Sequence, residues 1–217
     1  MWFVDPRIRL PQFLTRLFPG ALWRIPSSVD EVFLTFDDGP VPGVTPWVLN
    51  LLKEEEIKAC FFCVGENVQR YPQVFQQILD EGHLIGNHTF NHMQGLNTSN
   101  KEYIENIKKA GQLVDSSLFR PPHGWMKRAQ YKWLSHHYQV VMWDLVSGDY
   151  RKNLSSGAVV RNVLEYVRPG SIITFHDSVK SKKNLYGALP VVIRELKQRG
   201  YCFGRLSDVT GMPGRSV

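Results

Sequence analysis

Short apolar runs alternate along the chain with longer segments whose apolar residues recur every three to four positions. The first run, 32-VFLTF-36, is followed by Thr45, Pro46, Trp47, Val48, Leu51 and Leu52. That order predicts a helix capped by Thr45, since proline in a first turn forfeits no helical hydrogen bond. The next run, 59-ACFFCV-64, precedes a helical pattern over residues 68–81. Then 83-HLIGN-87 precedes a helix opened by Ser99 and Glu102 as a capping box, with Tyr103, Ile107, Ala110 and Val114 inward. Strand 117-SLFR-120, a helix over 125–136, strand 138-YQVVMWD-144 and a helix with Val159, Val160, Val163, Leu164 and Val167 follow. Strand 171-SIITF-175, a helix with Leu189, Val192, Ile193 and Leu196 that stops at Gly200, and a last run, 201-YCFGRL-206, complete the series. About seven strand-helix units predict an α/β fold, a parallel sheet with helices outside, either an irregular barrel or a doubly wound sheet.

Polar residues gather where these strands end. Asp37 and Asp38 follow the first, His88 follows the third, Arg120 ends the fourth, Asp144 ends the fifth and His176 follows the sixth. In a parallel barrel or open sheet the carboxyl ends share one rim, and ligands bind there. A single Asp in such a place is usually a turn residue and a single His usually structural, but the whole set on one rim predicts a site. Within 87-NHTFNHM-93, His88 and His92 stand four apart, so a helical turn or tight loop presents both imidazoles on one side. Two imidazoles and one carboxylate leave open positions on a metal and suit Zn²⁺ first, with Co²⁺, Mn²⁺ and Fe²⁺ also compatible. Neighbours on a strand face opposite ways, so Asp37 and Asp38 are expected to perform different tasks.

Composition narrows the class. The chain has 217 residues, 43% hydrophobic and 21% charged, enough for one domain with a real core. Net charge is +6, but no basic run exceeds two residues, which argues against a nucleic-acid partner. Three cysteines give no disulfide framework and favour a reduced compartment. Cys60 and Cys63, three apart on a strand, are expected to point to opposite faces as small core residues rather than to form a redox or zinc pair. Residues 1–29 form an aromatic and basic arm whose charges and prolines interrupt any signal-like core, and no later window approaches a membrane span. We expect the arm to pack over a single domain of residues 30–217, with peripheral membrane contact as the alternative, in a monomeric cytoplasmic protein.

In order and spacing, TFDDGP, HTFNH, FRPPHG, MWDLVSGDY and ITFHDS resemble the five motifs of the polysaccharide deacetylases, the NodB-homology or family 4 carbohydrate esterases, over about residues 30–206. The resemblance implies a distorted (β/α)7 barrel and metal-dependent hydrolysis of N-acetyl groups on a sugar. It implies Asp37 as general base, Asp38, His88 and His92 as metal ligands, Arg120 as partner of the base and His176 as general acid. The backbone N–H at His123 would help to hold the oxyanion. The chain departs from the family pattern in four places. His123 replaces a usual Tyr, Tyr150 replaces the final Trp of W-x-x-D-x-x-D-W, and Thr174 stands where a Leu usually lines the acetyl pocket. Val146 occupies the first Asp of that fourth motif, so Asp144 is expected to support His176 in its place. These departures leave the substrate open among polymeric, lipid-linked and small N-acetylated carbohydrates, with a tilt toward a small or lipid-linked one. Other readings are an amidase on another linear C–N bond and a sugar-binding module without turnover. An iron oxygenase with the same triad is disfavoured, because those enzymes typically use antiparallel barrels.

Overall fold

The computed structural model describes residues 8–26 and 28–207. After a short helix, α1 (Gln12–Thr15), come β1 (Glu31–Asp37), α2 (Thr45–Glu54), β2 (Cys60–Cys63), α3 (Gly65–Arg70), α4 (Pro72–Asp80) and β3 (Leu84–Asn87). They are followed by α5 (Asn100–Gly111), β4 (Leu118–Phe119), α6 (Arg128–His137), β5 (Gln139–Val140) and β6 (Leu145–Val146). The chain then forms α7 (Ser156–Tyr166), β7 (Ile172–His176), α8 (Lys182–Gln198) and β8 (Cys202–Phe203). The strands run parallel in the order β5-β4-β3-β2-β1-β7-β6, and β8 pairs with the first residues of β1. The predicted distorted (β/α)7 barrel is what the chain builds.

Alternation along the central strands sorts side chains between two cores. Leu34 and Phe36 of β1, Phe61 and Cys63 of β2, and Ile173 and Phe175 of β7 point out to the helices and meet Leu49, Leu52, Val163, Leu189 and Val192. Phe33, Cys60, Phe62, Leu118 and Ile172 point inward and share the barrel interior with Ile25 and Leu206. Because a central parallel strand is buried on both faces, 32-VFLTF-36 reads as a nearly continuous apolar run. Cys60 and Cys63 are both buried and lie on opposite faces, as their spacing predicts.

The arm fills the seam that β5 and β6 leave open. Leu22 bridges Val141, Arg24 bridges Ser171, and the Val146 N–H donates to the Ile8 carbonyl at 2.8 Å. Ile8, Phe18 and Ile25 are buried, whereas Phe13 and Leu17 are exposed. Trp2 and Phe3, which the sequence also places in the arm, lie outside the described residues. Among the described residues no helix is long and apolar enough to cross a membrane.

Several local expectations change. The helix over 68–81 is two helices, α3 and α4, because Pro72 lacks an N–H and disfavours a helical residue before it. Thr45 lies inside α2, whose cap is Val44; its hydroxyl serves a different purpose, described below. Ser99 caps α5 as expected, accepting the Glu102 N–H at 3.2 Å. The run 138–144 is not one strand: pairing stops after β5 and resumes at β6, so Asp144 opens a strand instead of ending one.

Asp144 therefore belongs to the amino-terminal rim, where its N–H donates to the Ile172 carbonyl at 3.0 Å. Its carboxylate accepts from Arg168 at 3.0 and 2.6 Å, Ser171 at 2.7 Å and Arg9 at 3.2 Å. Burial pushes its pKa up, but these donors outweigh burial and hold it below the ordinary value. The Arg9 guanidinium also reaches the Tyr166 carbonyl, so one carboxylate ties arm, β6 and the turn before β7 together. Asp144→Ala is expected to lower the unfolding free energy by about 2–3 kcal/mol, discounted for the partly exposed arginines. Urea unfolding followed by tryptophan fluorescence measures it; an unchanged midpoint would show that the cluster contributes nothing.

Candidate active site

At the opposite rim, the end of β1 lies in register with β7, pairing Asp37 with His176. Arg120, fully buried, reaches across the interior toward them. Its Nη1 donates to Asp37 Oδ1 at 2.7 Å and Thr35 Oγ1 at 2.8 Å, while Nε and Nη2 donate to the carbonyls of Val141 and Met142 at 3.1 and 2.8 Å. The guanidinium also stacks 4.1 Å over the Phe62 ring. A charge this deep is tolerated because it is paired and hydrogen-bonded on several sides. Thr174 lies one layer below, wholly buried, its Oγ1 3.1 Å from Thr35 Oγ1. It braces the interior under Asp37, in the same inward column as His176.

Asp38 leaves the strand with φ 83, a left-handed conformation that is uncommon for residues with a side chain. This turns its carboxylate away from Asp37 and toward the histidine loop. His88 and His92 sit in a tight loop, not a helix. Asn87 Oδ1 accepts the Thr89 N–H and Thr89 Oγ1 accepts the Met93 N–H, both at 2.9 Å, with Thr89 and His92 at positive φ. The His88 Nδ1 donates to the Arg120 carbonyl at 2.7 Å; a carbonyl can only accept, so Nε2 keeps its lone pair. Burial holds His88 neutral, its pKa pushed down to about 4.

Asp38 Oδ1 lies 3.8 Å from His88 Nε2 and 3.2 Å from His92 Nε2, and one donor atom from each residue falls within 4.8 Å of the others. Among the described residues that buried Oδ1 has no hydrogen-bond partner. Burial works against its charge, but His92 close by and the charges of His176 and His88 hold its pKa well below the carboxylate range. An orphaned carboxylate oxygen facing imidazole nitrogens is a donor set that fits a divalent cation with positions to spare. Beside it opens a cleft of about 270 Å³ lined by Asp38, Val64, Glu66, Asn67, Asn91 and His92.

His176 is held by Asp149, not Asp144. Asp149 Oδ1 lies 2.8 Å from His176 Nδ1 and Oδ2 accepts the His176 N–H at 2.8 Å. Asp144 is on the other rim, level with Ile172, four residues or roughly 13 Å of strand away. Asp149 occupies the second Asp of the fourth-motif pattern, and that was the signal available in the sequence. Burial alone would lower the His176 pKa, but the Asp149 charge and hydrogen bond, with Asp38 and Asp37, raise it to about 9. The Tyr150 ring meets His176 edge-on at 4.8 Å, and the His123 ring meets His92 likewise at 4.8 Å. His123 has φ 60 and its pKa is lowered, chiefly by burial.

The polysaccharide deacetylase family model matches residues 24–140. A peptidoglycan-N-acetylglucosamine deacetylase of Bacillus cereus is 35% identical over 195 residues, spanning 86% of this chain and 91% of that one. The peptidoglycan-N-acetylmuramic acid deacetylase PdaA of Bacillus subtilis is 31% identical over 189 residues, spanning 82% and 70%. Among solved structures, the Bc1960 peptidoglycan N-acetylglucosamine deacetylase in complex with a 4-naphthalen-1-yl-N-oxidanyl-benzamide superposes with TM-score 0.84 at 31% identity, covering 92% of this chain and 96% of that one. B. subtilis PdaA, described as a family 4 carbohydrate esterase, superposes with TM-score 0.80 at 25% identity, covering 96% and 93%.

In the metal-free protein His176 is expected to stay protonated up to about pH 9. A folded pKa above the ordinary 6.5 adds stability that is fully present below 6.5 and lost as pH climbs through about 9. Asp149→Asn should bring the histidine's titration down toward or below 6.5. NMR titration of the imidazole measures both, and a wild-type midpoint near 6.5 would refute this account of the dyad.

Proposed function

Because the chain belongs to the polysaccharide deacetylase family, we propose that it hydrolyses N-acetyl groups on the amino sugars of peptidoglycan, with Asp37 as general base and His176 as general acid. The observation that carries this reading is the register pairing of Asp37 with His176 beside the Asp38, His88 and His92 donor set. A carboxylate that accepts hydrogen bonds beside an imidazole that carries a proton is the pair that acid-base hydrolysis requires.

Each neighbouring residue has a definable task. Asp37 takes the proton of the attacking water, and Arg120 keeps it aimed through the 2.7 Å hydrogen bond. Asp38, His88 and His92 would hold one divalent ion, Zn²⁺ first and Co²⁺, Mn²⁺ or Fe²⁺ as alternatives, which supplies Lewis acidity at the acyl oxygen and a more acidic water. The His123 N–H donates to the developing oxyanion, a task that tolerates the change from Tyr. With Nδ1 on Asp149, His176 has Nε2 left to protonate the departing amine. Tyr150, against His176, contacts the sugar.

Peptidoglycan is the substrate named for the two relatives described above, which favours the polymer among the substrates left open over the small or lipid-linked ones. That polymer lies outside the cytoplasmic membrane, so the expected cytoplasmic location is not carried forward. N-acetylglucosamine is the first choice of sugar, because the relative with 35% identity is named for it.

Purified protein reconstituted with Zn²⁺ or Co²⁺ is expected to release acetate from peptidoglycan or N-acetylglucosamine oligomers, and chelator should abolish release. Asp37→Asn and His176→Ala should each lower kcat by about 10²–10⁴-fold. Absence of acetate release from either substrate with either metal would overturn the proposal.

A further inference from the structure

Asp177 follows His176, is fully buried, and has no task in the chemistry above. Its Oδ1 accepts the Gly39 N–H at 3.1 Å and its Oδ2 accepts the Thr45 hydroxyl at 2.5 Å. Thr45 Oγ1 in turn accepts the Val41 N–H at 2.8 Å, and the Asp177 N–H donates to the Asp37 carbonyl at 3.1 Å. Asp177 and Thr45 together thus grip the turn between β1 and α2 at Gly39, Val41 and Thr45, while Asp177 itself extends the strand that carries His176. The fit admits no side chain at Gly39: a Cβ there would sit 2.0 Å from Asp177 Oδ2. From the other side, Asn67 Nδ2 donates to the Asp38 carbonyl at 2.7 Å and the Val64 N–H to the Gly39 carbonyl at 2.9 Å.

Asp38 is the residue caught between these grips. Its φ of 83 is one that a side chain adopts only where the surroundings impose it, and in that conformation its carboxylate reaches His88 and His92. We propose that Asp177 is a positioning residue for the metal centre: through Gly39 and Thr45 it imposes the backbone conformation that delivers the Asp38 carboxylate to a divalent cation. Burial pushes the Asp177 carboxyl up to about 7, opposed by the hydrogen bonds from Thr45 and Gly39. The inference rests on the reading of Asp38, His88 and His92 as metal ligands.

The test is Co²⁺ binding by the full chain, followed by the visible spectrum of the bound ion and by competition with a chelating dye. Asp177→Ala is expected to bind Co²⁺ about 10–100-fold more weakly, with a shifted spectrum, as outer-shell partners of metal ligands typically do. Asp177→Asn can still accept the Gly39 N–H and donate to Thr45 Oγ1, so it should keep affinity within about threefold, well inside the loss that removing such a partner causes. Circular dichroism identifies a variant that does not fold. In that event Thr45→Val, close in shape but without the hydroxyl, should weaken binding instead. Affinity unchanged in both Asp177→Ala and Thr45→Val overturns the proposal. So does Asp177→Asn as weak as Asp177→Ala, since charge and not these hydrogen bonds would then be acting. A wild-type protein that binds no Co²⁺ overturns the metal reading and this one with it, whereas normal wild-type binding with unaffected variants removes only this one.

Discussion

A guanidinium buried inside a barrel is the constraint on which the rest of this structure depends. Arg120 has no exposed surface and a side chain that cannot lose its charge, so the interior must supply a counter-charge and acceptors for its N–H groups. Asp37, Thr35 and the carbonyls of Val141 and Met142 meet that demand. The same residue turns its own carbonyl to His88 Nδ1. One amino acid therefore holds Asp37 through its side chain and His88 through its backbone, and the two halves of the site cannot drift apart independently.

The barrel organises this polarity in layers. Phe33 and Ile172 fill the interior toward the amino-terminal end, with Ile25 of the arm packed against them, while Cys60 and Phe62 of β2 stand level with Thr35 and Asp37. Thr35 and Thr174 form the next layer along the same inward columns of β1 and β7. Asp37 and His176 cap those columns. Period-two alternation alone puts Phe33, Thr35 and Asp37 on one line, so the gradient from apolar floor to reactive rim is written in every second residue of a single strand. The arm closes the floor, and this leaves the other end as the place where chemistry meets solvent.

Much of this was legible without coordinates. The apolar runs located the strands, and HTFNH located the donor set because its spacing works in a tight loop as well as in a helix. The missed features share one cause, partners distant in sequence. Residues 138–144 look like one strand because local hydrophobicity does not reveal where pairing is interrupted. Asp144 was consequently placed on the wrong rim, and Arg9 and Arg168, which occupy it, carry no local signature. Asp149 was overlooked because Gly148, with φ 79, turns the chain just before it, so strand reasoning could not say where it points. Thr45 looked like a cap since threonine before proline usually is one, while its actual partner, Asp177, lies 132 residues away.

Asp149 grips His176 twice, at the ring nitrogen and at the backbone N–H, with the two oxygens of one carboxylate. A histidine held at both places has lost its freedom to swing toward a reactant. The position of its remaining ring nitrogen is then set by the fold and not by rotation of the side chain. One acidic side chain thereby turns a rotatable imidazole into a fixed feature of the rim.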